Sequence, residues 1–219
     1  MDEQSHAALS QYVTDLFVTE DDTLQWIQAE TKRNDMPQIS LSAEEGRLLQ
    51  MLVMAVGAKK VVEIGALAGY SGTWIGRALP ADGKLYTLEV SSKHAQVARA
   101  SFEKAGLSDR IELMEGDAED SLRKLSDRAP FDFVFIDADK GGYPKYLDWA
   151  VANLRVGGIV AAHNAFRSGR VVAPTSDDDR AMDDFNRTMA AHPQLESTIF
   201  SIGDGMAVGI KAEKVFRYR

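Results

Sequence analysis

From residue 58 onward, short apolar runs alternate with longer segments of helical periodicity. The five runs that have the length and composition of strands are residues 61–64, 85–89, 111–114, 131–136 and 158–162. Each of the first four is followed by a segment long enough for a crossover helix, which is typical of a parallel sheet with helices on both faces. Two further runs, residues 195–201 and 206–211, are joined by the hairpin signal IGDG. The pattern therefore predicts an α/β fold whose seven-stranded, mostly parallel sheet ends in an antiparallel hairpin.

The first 57 residues contain no convincing strand, and their pattern predicts helices. Residues 9–18 and 23–32 have helical patterns separated by the acidic residues EDD. A third helix is indicated by apolar residues that recur on one face, namely Leu48, Met51, Leu52, Ala55 and Val56. Ser42 and Glu45, three residues apart, form a capping box that would begin this helix.

The chain has 219 residues, a length that suits one domain because a single core stops growing near about 250–300 residues. We expect a single domain with a helical cap over residues 1–57 and the sheet-containing core over residues 58–219. Residues 167–179 have no periodicity and predict a long loop, a feature that is often functional. This loop and the N-terminal helices are the natural lid over a binding site.

The sequence contains no cysteine and four histidines, His6, His94, His163 and His192. Without cysteine the chain has no disulfide, zinc–thiolate site, iron–sulfur cluster or cysteine nucleophile. Any metal must therefore be bound by oxygen and nitrogen atoms.

The balance of charge is acidic, with 33 Asp and Glu against 25 Lys and Arg and a formal net charge of −8. Nucleic-acid-binding proteins usually carry a basic patch, so this balance argues against nucleic acid as a partner. The longest apolar run, residues 51–58, is far below the roughly 20 residues needed to cross a bilayer. The polar, acidic N-terminus does not resemble a signal peptide. We expect a cytoplasmic protein without a membrane partner.

In an open α/β sheet, ligands bind beyond the carboxyl ends of the strands, where the strand order reverses. The run EIGALAGYSG follows the first strand and supplies glycines that let the backbone approach a ligand closely. A dinucleotide fingerprint beginning at Gly65 would also need glycine at two positions that are Leu67 and Tyr70. Glu89 ends the second strand, where an acid can accept hydrogen bonds from both hydroxyls of a ribose. Together these features favour an adenosine ligand without phosphates.

Five segments in this order resemble the cation-dependent class I O-methyltransferases, the catechol and caffeoyl-coenzyme-A type with its small bacterial members. They are VVEIGALAGYSG, LYTLEV, GDAED, FDFVFIDADKGGYPKYLDWA and LRVGGIVAAHNAFRSGRV, and the resemblance extends from about residue 36 to residue 211. Each segment alone is a weak signal, whereas the ordered set is specific. The resemblance implies the Rossmann-like fold of class I methyltransferases, and S-adenosylmethionine as the cofactor. That molecule contains an adenosine and no phosphate.

The resemblance also implies a set of cofactor-binding residues. From the methionine end to the adenine they are Ile39, Ser40, Leu41, Glu63, Gly65, Tyr70, Ser71, Glu89, Asp117 and Ala118, with Asp137 where metal and cofactor meet. Glu89 would hold the ribose hydroxyls, and Asp117 and Ala118 would lie beside the adenine. Asp139 is left open, as a structural residue or a cofactor contact.

Lys140 is the candidate general base, because its place in Asp137-Ala138-Asp139-Lys140 matches the family's lysine that takes a phenol proton. A lysine amine must be partly neutral to do this, and both a nearby cation and partial burial lower its pKa. Tyr143 and Tyr146 are expected to be packing and rim residues. His6, His94 and His192 are assigned no role.

The metal site implied by the resemblance would consist of Asp137, His163 and Asn164, and it departs from the family pattern. The family has an aspartate where this chain has His163. A nitrogen ligand and one charge fewer should weaken magnesium and favour manganese, iron, cobalt, nickel or zinc. Three alternatives stay open for His163. In the first, a metal is still bound through all three residues. In the second, the metal is lost and His163 is a general base or hydrogen-bond donor assisted by Lys140. In the third, the site is catalytically degraded or His163 is only a packing residue.

The resemblance implies transfer of a methyl group from S-adenosylmethionine to a hydroxyl of a small phenolic or catechol-like acceptor, by a homodimeric enzyme. Catalysis would involve Lys140, His163 and Asp137. Phe166, Val171 and Val172 could contact the acceptor's aromatic ring, or pack locally. Two alternatives are a methyltransferase for a hydroxylated base in transfer RNA, and a cofactor-binding protein without catalysis.

Overall fold

The structure is a computed structural model that describes residues 3–215. Its strands are β1 (Lys60–Ile64), β2 (Lys84–Glu89), β3 (Ile111–Glu115), β4 (Phe131–Ile136), β5 (Leu154–Ala162), β6 (Leu195–Phe200) and β7 (Met206–Lys211). Its helices are α1 (Glu3–Phe17), α2 (Asp22–Arg33), α3 (Ala43–Ala55), α4 (Tyr70–Ala78), α5 (Ser92–Lys104), α6 (Ala118–Leu125), α7 (Tyr143–Asn153) and α8 (Asp177–Ala191). No helix within this part of the chain is both long and apolar enough to cross a membrane.

The strands form a sheet of seven in the order β3-β2-β1-β4-β5-β7-β6. β1 pairs in parallel with β2 on one side and with β4 on the other, so the strand order reverses at β1. β7 runs antiparallel to β5 and to β6, which confirms the predicted C-terminal hairpin. The loops after β1, β2 and β4 therefore meet at one edge of the sheet, the usual place for a ligand in such folds.

Two apolar layers cover the two faces of the sheet. On one face, Val61, Phe133 and Ile159 pack with residues of α2 to α5. On the other, Val62 and Val134 pack with residues of α6 to α8. Strands buried on both faces become continuous apolar runs instead of alternating ones. For this reason the strands are recognisable from the sequence.

Helix α3 begins at the predicted capping box, in which Ser42 and Glu45 bind each other's backbone N–H. The apolar face predicted for this helix is confirmed in part: Leu48, Leu52 and Val56 pack against the core, whereas Met51 is 55 % exposed and Ala55 is also exposed. The buried side chains of α3 are Glu45, Gly46, Leu49 and Val53. Gly46 lies against the indole of Trp74, which a Cβ atom would overlap, so the contact surface of the helix is carried partly by a residue without a side chain.

The loop predicted over residues 167–179 is shorter in the structure. Helix α8 begins at a second capping box formed by Ser176 and Asp179, which the sequence pattern did not reveal. Asp179 is fully buried and accepts hydrogen bonds from Arg167 and Arg170. These bonds fasten the remaining loop to the start of α8.

Candidate active site

A cavity of about 710 Å³ opens at the carboxyl ends of β1, β2 and β4. Twelve of the predicted site residues line it, namely Ile39, Ser40, Leu41, Gly65, Tyr70, Ser71, Glu89, Asp117, Ala118, Asp137, Lys140 and Asn164. Glu63 and His163 do not belong to the lining. Most of the residues predicted from the sequence therefore surround one cavity, whereas Glu63 and His163 lie behind its wall.

The loop from β1 into α4 requires glycine where it passes the loop after β4. Gly65 has φ of 100°, and a Cβ atom there would overlap the backbone oxygen of Asp137. Gly69, with φ of 86°, is the N-cap of α4. The Tyr70 hydroxyl donates to Glu20 Oε1 at 2.6 Å, so this loop is also tied to the segment before α2.

Glu89 is fixed at the end of β2 by two backbone N–H groups. Leu67 N donates to Oε2 at 2.8 Å, and Ser91 N donates to Oε1 at 2.9 Å. Each carboxylate oxygen has further lone pairs for a ligand, so a pair of vicinal hydroxyls can be bound here. His94, to which the sequence assigned no role, also lines the cavity, and its Nδ1 lies 3.4 Å from Glu89 Oε1. The sequence could have indicated His94 by its position in the first turn of α5, shortly after Glu89 in the chain.

Asp117 and Ala118 lie at the start of α6, beside the end of β3. The Asp117 side chain is the N-cap, since its Oδ1 accepts a hydrogen bond from Asp120 N at 3.1 Å. Asp139, which the sequence left open, lines the cavity and accepts hydrogen bonds from Gly142 N and the Tyr146 hydroxyl, each at 2.8 Å. Asp139 therefore holds the turn after β4 in shape.

Glu63 is fully buried beneath the cavity, in contrast to the expectation that it would line the cofactor. Its side chain turns toward β2, where Thr87 Oγ1 donates to Oε2 at 2.6 Å. Its Oε1 is buried without a hydrogen-bond partner. Burial raises the pKa of Glu63 to about 7, although the nearby hydroxyls of Ser71 and Thr87 oppose this shift.

Lys140 lies on the 3₁₀ turn after β4 and is only 9 % exposed. Its Nζ lies 2.7 Å from the Tyr143 hydroxyl, 3.1 Å from Ala138 O and 3.5 Å from Asp137 Oδ1. Burial lowers the pKa of Lys140, although the Asp137 carboxylate partly opposes this effect. The lysine is therefore easier to deprotonate than one on the surface. Tyr143 is fully buried, as expected of a packing residue.

His163 lies between two carboxylates that come from distant parts of the chain. Its Nε2 is 2.9 Å from Glu45 Oε1, and its Nδ1 is 3.3 Å from Asp137 Oδ2. Burial on its own lowers the pKa of His163, but the hydrogen bonds to Asp137 and Glu45 outweigh burial and raise that pKa to about 9. The same contacts lower the pKa values of Glu45 and Asp137 despite their burial. The side chain at position 163 thus lies between two carboxylates, and both favour its protonated form.

Glu45 is a site residue that the sequence pattern indicated only as a helix cap. Its Oε2 accepts hydrogen bonds from Ser42 N and Ser42 Oγ, each at 2.8 Å. Its Oε1 accepts from His163 and from Asp204 N, the latter at 3.2 Å. Gly203 leaves the space for this carboxylate, because a Cβ atom there would overlap it. The hairpin signal between β6 and β7 therefore also marks a turn that packs against the site.

The structure brings Asp137, His163 and Asn164 together. When His163 Nε2 donates to Glu45, Nδ1 can keep its lone pair, and it faces Asp137 Oδ2 at 3.3 Å. Asn164 Nδ2 donates to Asp204 Oδ2 at 3.1 Å. Within the described residues, no group of three or more His, Cys, Asp or Glu side chains could hold a metal ion. Asn164 is not one of these residue types, and its side-chain oxygen, Asp137 and His163 Nδ1 together could hold a divalent cation that accepts mixed oxygen and nitrogen ligands.

The apolar residues expected at the acceptor ring do not line the cavity. Val172 is 87 % exposed, and Phe166 packs against Gly205 of the hairpin turn. The lining also includes Pro37, Tyr146, Arg167 and Asp178; Tyr146 was expected at the rim, and Arg167 and Asp178 belong to the segment expected to cover the site. Arg167 is held by Asp178 and Asp179 at 3.3 Å each. His192 lies outside the cavity lining, and the side chain of His6 lies outside the described residues.

Comparisons with known proteins show the family to which the chain belongs. The family model described as O-methyltransferase matches residues 14–212. The chain is 37 % identical to catechol O-methyltransferase of Niastella koreensis, covering 96 % of this chain and 99 % of that one. It is 36 % identical to catechol O-methyltransferase of Mycobacterium tuberculosis, covering 96 % and 98 %.

Solved structures give the same result. An O-methyltransferase from Bacillus cereus in complex with SAH superposes with a TM-score of 0.86 at 36 % identity, covering 93 % of this chain and 97 % of that one. The O-methyltransferase TomG from Streptomyces achromogenes, in complex with SAM, superposes with a TM-score of 0.88 at 32 % identity, covering 97 % and 100 %.

Proposed function

Because this chain belongs to the O-methyltransferase family, we propose that it transfers the methyl group of S-adenosylmethionine to a hydroxyl of a small phenolic or catechol-like acceptor. The observation that carries the proposal is a single cavity with a fixed carboxylate, Glu89, at one end and a buried amine, Lys140, at the other. The relatives named for catechol support a phenolic acceptor in preference to a hydroxylated base in transfer RNA.

The cofactor extends along the loops at the sheet edge. Glu89 binds the ribose hydroxyls, because backbone N–H groups already fix both of its oxygens in place. The adenine lies toward Asp117 and Ala118. The methionine portion lies toward residues 39–41 and 65–71, which line the rest of the wall. This assignment needs no phosphate-binding loop, in agreement with Leu67 and Tyr70 in place of glycine.

Little covalent chemistry is required of the protein, because the sulfonium already activates the methyl group. Lys140 takes the proton of the acceptor hydroxyl onto Nζ, and the resulting oxygen anion attacks the methyl carbon. The carbon–sulfur bond breaks with its electron pair on sulfur, which leaves S-adenosylhomocysteine. A positioned base contributes about 10²–10⁴-fold to such a step, and alignment of oxygen, carbon and sulfur contributes the rest.

The oligomeric state, location, domain division and partners of the protein stay predictions from the sequence. We infer a homodimer in the cytoplasm, with the 1–57 cap and the 58–219 core forming one domain, and with no nucleic acid or membrane partner. The acidic net charge of −8 supports this choice of partners. The resemblance to the family supports the dimer.

Calorimetry with S-adenosylmethionine, followed by mass spectrometry of products from a panel of phenols, tests the proposal. We expect one cofactor site per chain and a gain of one methyl group on at least one phenol. A chain that does not bind the cofactor contradicts the proposed function. Binding without methyl transfer to any phenol would instead favour a non-catalytic role.

A further inference from the structure

We propose that helix α1 is the interface at which two copies of this chain pair, with the two helices antiparallel across a two-fold axis. The observation that carries the inference is a stripe of large apolar side chains on the exposed side of this helix. The α1 stripe consists of Leu9, Tyr12, Val13, Leu16 and Phe17. The inference does not depend on methyl transfer, and it adds to the proposed homodimer the surface through which the dimer forms.

The apolar side of helix α1 faces solvent, whereas a polar residue joins the helix to the rest of the protein. Leu9, Tyr12 and Leu16 are 51 %, 60 % and 58 % exposed. Ser10, on the side that faces α3, is half-buried, and its hydroxyl donates to Glu44 Oε1 at 2.7 Å. A surface helix of a monomer has the opposite arrangement, with its apolar face toward the core. The α1 stripe is therefore a face that lacks a partner within one chain.

Helix α1 has little packing of its own to stabilise it. None of the residues 7–17 is buried. An isolated helix shorter than about 12–15 residues is marginal in water, and most helices in proteins are stabilised by the packing of an apolar face. α1 has 15 residues and an apolar face without such packing. A partner that covers this face would supply the missing stabilisation.

The spacing of the α1 stripe matches a second copy of the same helix. Its first four members recur at i, i+3, i+4 and i+7, the pattern of a helix that packs against another element. This spacing is the same when the helix is read in the opposite direction. Two antiparallel copies therefore place Leu9 opposite Leu16, and Tyr12 opposite Val13, on each side of a two-fold axis. A two-fold interface requires this self-complementarity, because both copies use the same patch.

The exposed apolar area is suited to the centre of an interface. Aromatic side chains bury about 150–250 Å² each, so the exposed parts of Tyr12 and Phe17 alone supply roughly 200–300 Å². A stable interface buries about 800 Å² on each partner, with an apolar centre and a polar rim. Met51 extends the apolar surface, because it is 55 % exposed and lies two turns after Glu44 on the face of α3 that meets α1.

The charge around the α1 stripe favours a protein partner over a membrane surface. Residues 1–31 contain no lysine or arginine. Helices that lie on a membrane carry many of these residues on their polar face, where they attract anionic lipids. The polar side of α1 instead presents the exposed carboxylate of Asp15. A second copy of the chain is therefore the occupant that fits both the spacing and the charge.

Light scattering after size-exclusion chromatography of the full chain tests the interface. Wild type should have the mass of two chains. Leu16→Lys places a charge within the α1 stripe and should have the mass of one chain at the same concentration. Gln11→Lys adds the same charge on the other side of α1, where it can pair with Asp15, and should remain a dimer. A monomeric wild type, or a dimer that Leu16→Lys leaves intact, overturns the proposal.

Sedimentation with vesicles distinguishes a protein partner from a membrane. The vesicles contain phosphatidylcholine and phosphatidylglycerol, and wild type should remain in the supernatant. Wild type that sediments with the vesicles, when Leu16→Lys does not, would assign the α1 stripe to a lipid surface and overturn the proposal.

The interface and the proposed function can fail separately. A chain that methylates a phenol but is monomeric contradicts the interface alone. A chain that pairs through α1 but binds no S-adenosylmethionine contradicts the proposed function alone.

The antiparallel arrangement is tested by disulfide formation, for which the chain is suited because it has no cysteine of its own. Val13 would lie close to the two-fold axis, so Val13→Cys should form a covalent dimer under mild oxidation. Gln11→Cys introduces the thiol on the other side of the helix and should remain uncrosslinked on a non-reducing gel. Both positions are exposed, so neither substitution disturbs the core. No covalent dimer in Val13→Cys, or an equal yield in Gln11→Cys, contradicts the arrangement.

Discussion

Glu45 Oε1 accepts a hydrogen bond from His163 Nε2 at 2.9 Å, although the two residues are 118 positions apart in the chain. The first belongs to an N-terminal helix, and the second follows β5, which lies next to the central strand β4 of the sheet. This bond ties the helical cap to the catalytic end of the core. It also explains how a histidine can stand where the resembled family has a metal-binding aspartate.

Lys140→Met should reduce kcat by about 10²–10⁴-fold, because it removes the proposed proton acceptor. The affinity for S-adenosylmethionine should stay within a few-fold of wild type. Steady-state rates and calorimetry measure the two effects. Lys145→Met, which removes an exposed lysine paired with Glu119, is the control and should change neither. An equal loss of cofactor binding in Lys140→Met would show that the residue is structural.

Glu89→Gln should weaken the binding of S-adenosylmethionine by roughly tenfold or more, since hydrogen bonds to a charged group contribute about 1.5–3 kcal/mol. The matched control is Glu115→Gln at the end of the neighbouring strand, where the side chain is 36 % exposed and paired with Arg99. Dissociation constants for S-adenosylmethionine, measured by calorimetry for the two variants, show whether Glu89 binds the cofactor. Similar constants for Glu89→Gln and wild type would remove Glu89 from the cofactor site.

Gly65→Ala should destabilise the fold and abolish cofactor binding, because the added methyl group would overlap the backbone of Asp137. Gly106→Ala provides a control with the same kind of backbone, since Gly106 has φ of 67° and open space around its Cβ position. We expect about 1–2 kcal/mol of destabilisation at Gly106 from the backbone alone and a clearly larger loss at Gly65. Urea unfolding measures both values, and equal losses would contradict the close approach of the two loops.

The raised pKa of Glu63 predicts that the stability of the fold depends on pH. Its pKa is about 7 in the folded protein, against 4.5 for an ordinary glutamate side chain, so the folded state binds the proton more tightly. The free energy of unfolding should therefore be greatest below about pH 4.5 for this group and fall as the pH rises toward 7, by on the order of 3 kcal/mol. Glu63→Gln should remove this part of the slope. The free energy of unfolding of wild type and of Glu63→Gln can be measured with urea at several pH values, without cofactor. The same pH dependence in the two proteins would contradict the prediction.

The sequence predicted the strands and the cavity because their signals are local. The run from Phe131 to Ile136 is buried on both faces, and buried strands are visible as continuous apolar runs. Gly65 and Glu89 lie at strand ends, where the topology of an open sheet places ligands. Each of these signals lies within a few residues of the feature that it predicts.

The role of His163 could not be predicted because it depends on a partner distant in the chain. Its Nε2 is bound by Glu45, whose local pattern indicates only a helix cap. The buried face of α3 was predicted only in part for a related reason, since Glu45 and Gly46 belong to it without any apolar signal. Glu63 lies behind the cavity wall because Thr87, on the neighbouring strand, donates a hydrogen bond to its carboxyl group.

The proposed methyl transfer is tested most directly by the turnover of the purified enzyme. Initial rates would be measured with S-adenosylmethionine and, in turn, a catechol and a phenol of one hydroxyl, for wild type and for Lys140→Met. We expect a methylated product from at least one acceptor with wild type, formed about 10²–10⁴-fold more slowly by Lys140→Met. A wild type that binds S-adenosylmethionine and yields no methylated product from any phenolic acceptor would contradict the account.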